Sequence, residues 1–156
     1  SISSMRAMES QIKAFDKAIA EQMALIPNTL TSVNGIGPVY SAGIIAEIGD
    51  INRFPNQASL AKYAGLVWSQ HQSGDFEAQN TRMIQSGNRY LKYYLCEAAL
   101  SLVRCDAEYR SFYHRKYKEV NKYQHKRALA LTARKFVRLV FRLLKDNCLY
   151  RAPESK

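Results

Sequence analysis

Acidic side chains are scarce in this sequence. Thirteen Asp and Glu stand against 23 Lys and Arg, leaving a formal charge of +10 on 156 residues. A small chain with that imbalance is suited to a polyanion, and nucleic acid is the partner it fits best. Histidine and cysteine are scarce as well, three of each. Cys96, Cys105 and Cys148 stand far apart, no Cys-x-x-Cys occurs, and the histidines lack zinc-ligand spacing. That argues against a zinc finger or disulfide scaffold, supplies no metal ligands, and leaves three free thiols suited to a reducing cytosol. No apolar run approaches a membrane span, and the opening residues do not read as a secretory signal. The expected setting is cytoplasmic, beside the nucleoid and away from membranes. Repeats and low-complexity tracts are missing too, and at 47% apolar residues the chain can build a core.

What is present is helical periodicity. Met5, Met8, Ile12, Phe15, Ile19, Met23 and Ile26 recur at threes and fours, which predicts an amphipathic helix ending before Pro27. No local stripe answers it, so it reads as the end of a coiled coil that pairs with a second chain. A short helix near Leu30, a tight turn at Asn34–Gly37 and a helix from Pro38 to Ile48 come next, with Gly49 as the stop. Phe54 to Gly65 reads as another short helix. Helices are predicted over Asn88–Arg104, Ala107–Val120 and Gln124–Leu144. The last has Leu129, Ala133, Phe136, Val137, Val140, Phe141 and Leu144 inside, and Arg134, Lys135, Arg138, Arg142 and Lys145 outside. The fold class is therefore all-α, with a helix-hairpin-helix at about 30–49.

Two stretches carry chemistry. In Val33-Asn34-Gly35-Ile36-Gly37 the glycines permit positive φ and close backbone approach, while the helix after Pro38 aims free N–H groups at the turn. Such a site takes a DNA phosphate without reading a base. Val33 and Ile36 would anchor it, with Gly35, Ile36 and Gly37 at the phosphate. The second stretch, 66–87, is polar, aperiodic and carries Ser-Gly twice, at Ser73-Gly74 and Ser86-Gly87. It reads as a functional loop, with room for short strands. It has no Gly-x-Ser-x-Gly elbow and no Ser-His-Asp triad, and His71 is as well explained as a loop residue. Asp75 and Glu77 do not make a two-metal site.

The C-terminal third is strongly basic. Between Arg104 and Lys145 there are thirteen Lys or Arg and three acids, interleaved with Tyr109, Phe112, Tyr113, Tyr117 and Tyr123. Lys116, Lys118, Lys122, Lys126 and Arg127 lie at a helix junction and are the leading backbone contacts. Arg82 within the polar loop, and Arg89 and Lys92 just after it, could stabilise charge on a reacting phosphate.

Taken in order, several segments resemble the C-terminal transposase region of the IS-one-ten insertion-sequence family, related to Piv-like DNA invertases. They are Val33-Asn-Gly-Ile-Gly-Pro, Ala42 to Gly49, Arg53-Phe54-Pro55, Leu60-Ala-Lys-Tyr-Ala-Gly-Leu66, Gln72-Ser73-Gly74, and Gly87-Asn88-Arg89-Tyr90-Leu91-Lys92 through Ala98-Ala99. The resemblance spans Leu30 to about Asn147. It implies a recombinase in which an N-terminal RuvC-like domain holds magnesium on four acidic residues and a coiled coil leads into the region seen here. It implies that the serine matching Ser73 is the nucleophile, that members act on DNA as oligomers, and that some use a structured guide RNA. The organisation expected is a coiled-coil end at 1–27, a transposase domain at 28–150 with its serine loop at 66–87 and basic helices at 88–147, and a tail at 151–156. No cofactor is expected within these residues themselves. Two other readings fit the same residues: a non-catalytic helix-hairpin-helix module that clamps nucleic acid, and a guide-RNA scaffold in which the serine is incidental.

Overall fold

The structure, a computed structural model, describes residues 1–26, 28–69 and 83–153, together with the backbone of 72–73 and 76–77. Among these residues there are six α-helices: α1 (Ile2–Ala24), α2 (Pro38–Ile48), α3 (Gln57–Tyr63), α4 (Arg89–Cys105), α5 (Ala107–Lys118) and α6 (Gln124–Asp146). Single 3-10 turns occupy Leu30–Ser32 and Ile51–Arg53. Two short strands, β1 (Gln72–Ser73) and β2 (Phe76–Glu77), pair antiparallel. The fold is all-α with one small hairpin.

The helix boundaries follow from local chemistry. Asn56, Asn88 and Asp106 each place a side-chain oxygen on free N–H groups of the first turn, capping α3, α4 and α5. Asp106 serves twice, because its own N–H closes α4 on the Leu102 carbonyl at 2.8 Å. One residue therefore separates α4 from α5. Pro38 opens α2, and Gly49, at φ 67°, ends it. The first arm of the expected helix-hairpin-helix is shorter than the sequence pattern suggests. Only the 3-10 turn Leu30–Ser32 precedes the Val33–Gly37 turn, since Thr29 and Leu30 are buried against the body and the chain has no length for a second helix.

The core lies where α4 and α6 cross, with α2, α3 and α5 packed around them. Leu91, Leu95, Ala98, Ala99 and Leu102 of α4 and Phe136, Val137, Val140 and Leu143 of α6 are all buried. Tyr109 of α5 meets Phe136 edge-on, centroids 6.4 Å apart. On α6, Leu143 rather than Leu144 is fully buried. Leu143 lies three residues beyond Val140 on the same stripe, and its carbonyl accepts from the buried Thr29 hydroxyl at 2.9 Å. Three of the outward cations are also engaged, Lys145 by donating to Asn52 Oδ1 at 2.8 Å. Arg134 reaches Gln57 of α3, and Lys135 bonds Glu108 while lying over the rings of Tyr109 and Phe112.

α2 lies close on α4 because Gly43 has no side chain. A Cβ there would stand 2.5 Å from the Tyr94 ring. Gly43→Ala should therefore destabilise the chain by about 1–3 kcal/mol. In a Tyr94→Ala background the same change should become neutral or stabilising by about 0.5–1 kcal/mol, since Ala is the better helix residue. Urea unfolding of the four-member cycle checks this, and equal losses in both backgrounds would contradict it.

Candidate serine hairpin and nucleic-acid interface

The loop foreseen at 66–87 is fastened at its base. The Asn88 N–H donates to the Tyr63 carbonyl at 2.6 Å, and the Ile84 N–H to the Val67 carbonyl at 2.9 Å. Trp68 and Met83 form an antiparallel bridge. Gly65 (φ 72°) and Gly87 (φ 114°) lie backbone to backbone. A Cβ on Gly87 would stand 2.6 Å from the Gly65 nitrogen, and one on Gly65 would stand 2.5 Å from the Ser86 carbonyl oxygen. Both positions need glycine for conformation and for space. The sequence pattern alone did not reveal this pairing, because the two glycines are 22 residues apart in chain number.

Polar side chains complete the fastening. Asn88 Nδ2 donates to Glu47 Oε2 at 2.8 Å and to the Tyr63 hydroxyl at 3.2 Å, while Asn88 Oδ1 caps α4. Arg53 lies over the rings of Phe54 and Tyr63 at 4.8 and 4.7 Å. The Asn88 hydrogen bond, with Arg53 behind it, holds the Tyr63 phenol below the ordinary tyrosine range. Asn88 thus joins α2, α3 and α4 at the point where the hairpin leaves the body. Sequence reasoning marked Asn88 as a helix start and as part of the Gly87–Lys92 family segment, and did not foresee these partners.

At the far end, Gln72 pairs with Glu77 and Ser73 with Phe76. Ser73 ends β1, and two residues stand between it and Phe76 in sequence. The Ser73 side chain, His71, Gly74 and Arg82 lie outside the described residues. Arg89 and Lys92 stand on the first turn of α4, beside the hairpin base. Arg89 is exposed, and its guanidinium covers the Tyr90 ring at 5.0 Å.

The Gly35–Gly37 turn is elsewhere. Ser101 donates to the Gly35 carbonyl at 2.6 Å, and Asn34 reaches the Cys105 carbonyl at 3.4 Å. The turn is therefore stitched to the C-terminal end of α4, a helix length of about 24 Å from Arg89. Gly35, at φ 94°, faces that helix: a Cβ on it would stand 2.9 Å from Cys105 Cβ. Ile36 is buried. Gly37 has open space where a side chain would be, and the first-turn N–H groups of Val39 and Tyr40 lack intrahelical acceptors. Of the expected turn residues, Gly37 presents an open surface, while Gly35 and Ile36 hold the turn in place.

The α5–α6 junction sorts its cations into two groups. Lys116 bonds Glu119 at 2.7 Å and Arg127 bonds it at 3.1 Å. Lys116 and then Arg127 hold the Glu119 carboxyl below the usual range. Lys118, Lys122 and Lys126 are exposed and make no ion pair among the described residues.

Residues 28–114 match the family model described as Transposase IS116/IS110/IS902 family. The chain belongs to this transposase family. The match begins after α1 and covers the turn, the hairpin, α4 and part of α5. A relative from Streptomyces coelicolor, the insertion element IS110 uncharacterized 43.6 kDa protein, is 32% identical over 145 residues, 93% of this chain and 34% of that protein. A probable family 20 transposase of Pseudomonas aeruginosa is 31% identical over 100 residues, 64% of this chain and 28% of that protein. The transposase for insertion sequence element IS1111A of Coxiella burnetii is 30% identical over 96 residues, 62% of this chain and 25% of that protein. The chain thus spans about a third or less of the length of these curated relatives. No helix among the described residues is long and apolar enough to cross a membrane.

In this transposase-family chain, the base of the hairpin should depend on Asn88. Asn88→Ala removes a helix cap and two side-chain hydrogen bonds and should cost about 2 kcal/mol. Hydrogen exchange at the Ile84 amide should quicken by more than the global loss of stability accounts for. Exchange that follows global unfolding alone would show that Asn88 supports the fold without gripping the hairpin.

Proposed function

We propose that this chain is the part of an insertion-sequence transposase that grips DNA and presents Ser73 as the nucleophile of strand cleavage and rejoining. The observation that carries the reading is the strand pairing: Ser73 lies opposite Phe76 across β1 and β2, in a segment whose two flanks, at Val67–Trp68 and Met83–Ile84, are joined to each other beside a helical body, in a chain with ten more cationic than acidic groups. A nucleophile must be held in attack geometry, and a hairpin gripped at its base does that better than a free loop.

The chemistry proposed is a phosphoryl transfer. The Ser73 hydroxyl oxygen forms a bond to a backbone phosphorus, the bond from that phosphorus to a deoxyribose oxygen breaks, and the released oxygen takes a proton. The product is a phosphoserine ester between protein and one strand. A free strand-end hydroxyl can reverse the step, so rejoining needs no external energy source. Ser73 needs help in losing its proton. Among the described residues no three His, Cys, Asp or Glu side chains converge as metal ligands. The magnesium implied by the family resemblance would have to be held by acidic residues elsewhere. Arg89 and Lys92, with Arg82 across the hairpin in sequence, are proposed to balance charge on the reacting phosphate.

DNA would be gripped through its backbone. The helix-hairpin-helix reading of 30–49 places one phosphate at Gly37 and the α2 N-terminus, with Gly35 and Ile36 shaping the turn. Lys118, Lys122 and Lys126 would contact others, while Lys116 and Arg127 brace their surface through Glu119. α1 is proposed to pair with a second copy of the chain. Ile12 and Phe15 are 58% and 68% exposed, and Met5 and Met8 continue the stripe, whereas Met23 is buried at the end nearest α2. A structured guide RNA is the competing occupant of the basic face, and competition between duplex DNA and folded RNA separates the two.

Ser73→Ala in the full-length protein should abolish recombination and the covalent protein–DNA product while leaving salt-dependent DNA binding within about twofold of wild type. A covalent product from the variant would move the nucleophile elsewhere and reduce this chain to a binding module.

A further inference from the structure

Two described residues other than glycine have left-handed backbone conformations. Asn147 closes α6, a place where that conformation is common and Asn tolerates it. Tyr123 is different. It opens α6 at φ 53° and ψ 32°, with no side-chain cap, and it is 82% exposed. An L-residue with a bulky side chain is strained there, and glycine or asparagine would be the ordinary choice. Among the described residues the Tyr123 ring makes no aromatic or cation contact that would offset the strain.

The turn that holds Tyr123 is braced from both sides. Gln124 donates to the Tyr117 carbonyl at 3.2 Å, and Arg127 donates to the Lys116 carbonyl at 3.2 Å and to Glu119 at 3.1 Å. The Tyr113 hydroxyl and His125 Nδ1 stand 2.6 Å apart. These contacts satisfy carbonyls at the end of α5 and fix the start of α6 against it. They leave out Tyr123 and the exposed Lys118, Lys122 and Lys126 around it. The result is an exposed aromatic ring on a braced turn, with exposed Lys118, Lys122 and Lys126 close to it in sequence and in no ion pair among the described residues. Strain that persists without internal compensation is found where a ligand is engaged.

We propose that Tyr123 is a stacking platform for an unpaired base of single-stranded DNA, with Lys118, Lys122 and Lys126 on the flanking phosphates. This rests on the nucleic-acid reading above and deepens it. A duplex buries its base faces in its own stack, so an exposed ring gains little from it, whereas an unpaired base offers a free face. Stacking of this kind tolerates any base.

The test measures two quantities whose directions should oppose each other. Tyr123→Asn relieves the backbone and removes the ring, while Tyr123→Phe keeps the ring. Binding of the 156-residue chain is read by fluorescence anisotropy with a labelled oligothymidylate, a blunt DNA duplex and the matching single-stranded RNA. For Tyr123→Asn, affinity for oligothymidylate should fall about tenfold and duplex affinity should stay within about twofold. Its Tm should rise by about 2–4 °C. Tyr123→Phe should bind oligothymidylate within about twofold of wild type. Unchanged oligothymidylate binding by Tyr123→Asn overturns the proposal while leaving the wider DNA reading intact. An effect on RNA without one on DNA overturns it as well. A chain that binds neither form of DNA overturns both readings.

Discussion

The apolar face of α4 is sealed between α2 and α6, and this burial fixes both ends of the helix. Leu91, Leu95 and Leu102 are fully buried, each worth roughly 1.5–3 kcal/mol of transfer free energy. Asn88 at one end closes the hairpin that carries Ser73, and Ser101 and Cys105 at the other hold the Gly35 turn. The two features singled out for chemistry are therefore set at a constant separation by a single rigid rod. A backbone phosphate held at Gly37 would stand about one α4 length, roughly seven base pairs of duplex, from the hairpin base.

Charge is distributed with the same economy. Cations that face carboxylates do structural duty: Lys135 ties α6 to α5 through Glu108, and Lys116 and Arg127 converge on Glu119. With so few acids in the chain, most other cations among the described residues make no ion pair. Lys118, Lys122 and Lys126 at the α5–α6 junction lie near a strained tyrosine in sequence, and Arg89, held on the Tyr90 ring, and Lys92 stand where α4 begins. Solvated cations spread evenly would serve solubility, whereas cations grouped beside an aromatic or a hairpin favour a phosphate backbone.

Much of this architecture was legible in the residues. Period-three and period-four apolar spacing gave α1, α2, α4, α5 and α6 to within a few residues, because each carries an apolar stripe, which is buried in all but α1. Pro38, Gly49, Asn88 and Asp106 marked ends through caps whose chemistry is local. The family resemblance was legible too, from the order of Val33–Pro38, Gln72-Ser73-Gly74 and Gly87–Lys92. What escaped was non-local. The backbone contact of Gly65 with Gly87 and the bond of Asn88 to Glu47 join segments far apart in sequence. Gly35 looked like a phosphate contact because glycine serves equally for a ligand and for a packed helix, and only the position of Cys105 decides between them. Tyr123 resembled the other aromatics of the basic tail until its backbone conformation and exposure set it apart.

The central claim is that the hairpin exists to hold one nucleophilic oxygen. It is tested most directly by trapping the full-length protein on nicked DNA, digesting with trypsin and locating the nucleotide adduct by fragmentation mass spectrometry. The peptide from Tyr63 to Arg82 contains two serines, Ser69 and Ser73. A nucleotide ester on Ser73 is the expected result. An adduct on Ser69, or on any residue outside this peptide, would contradict the account.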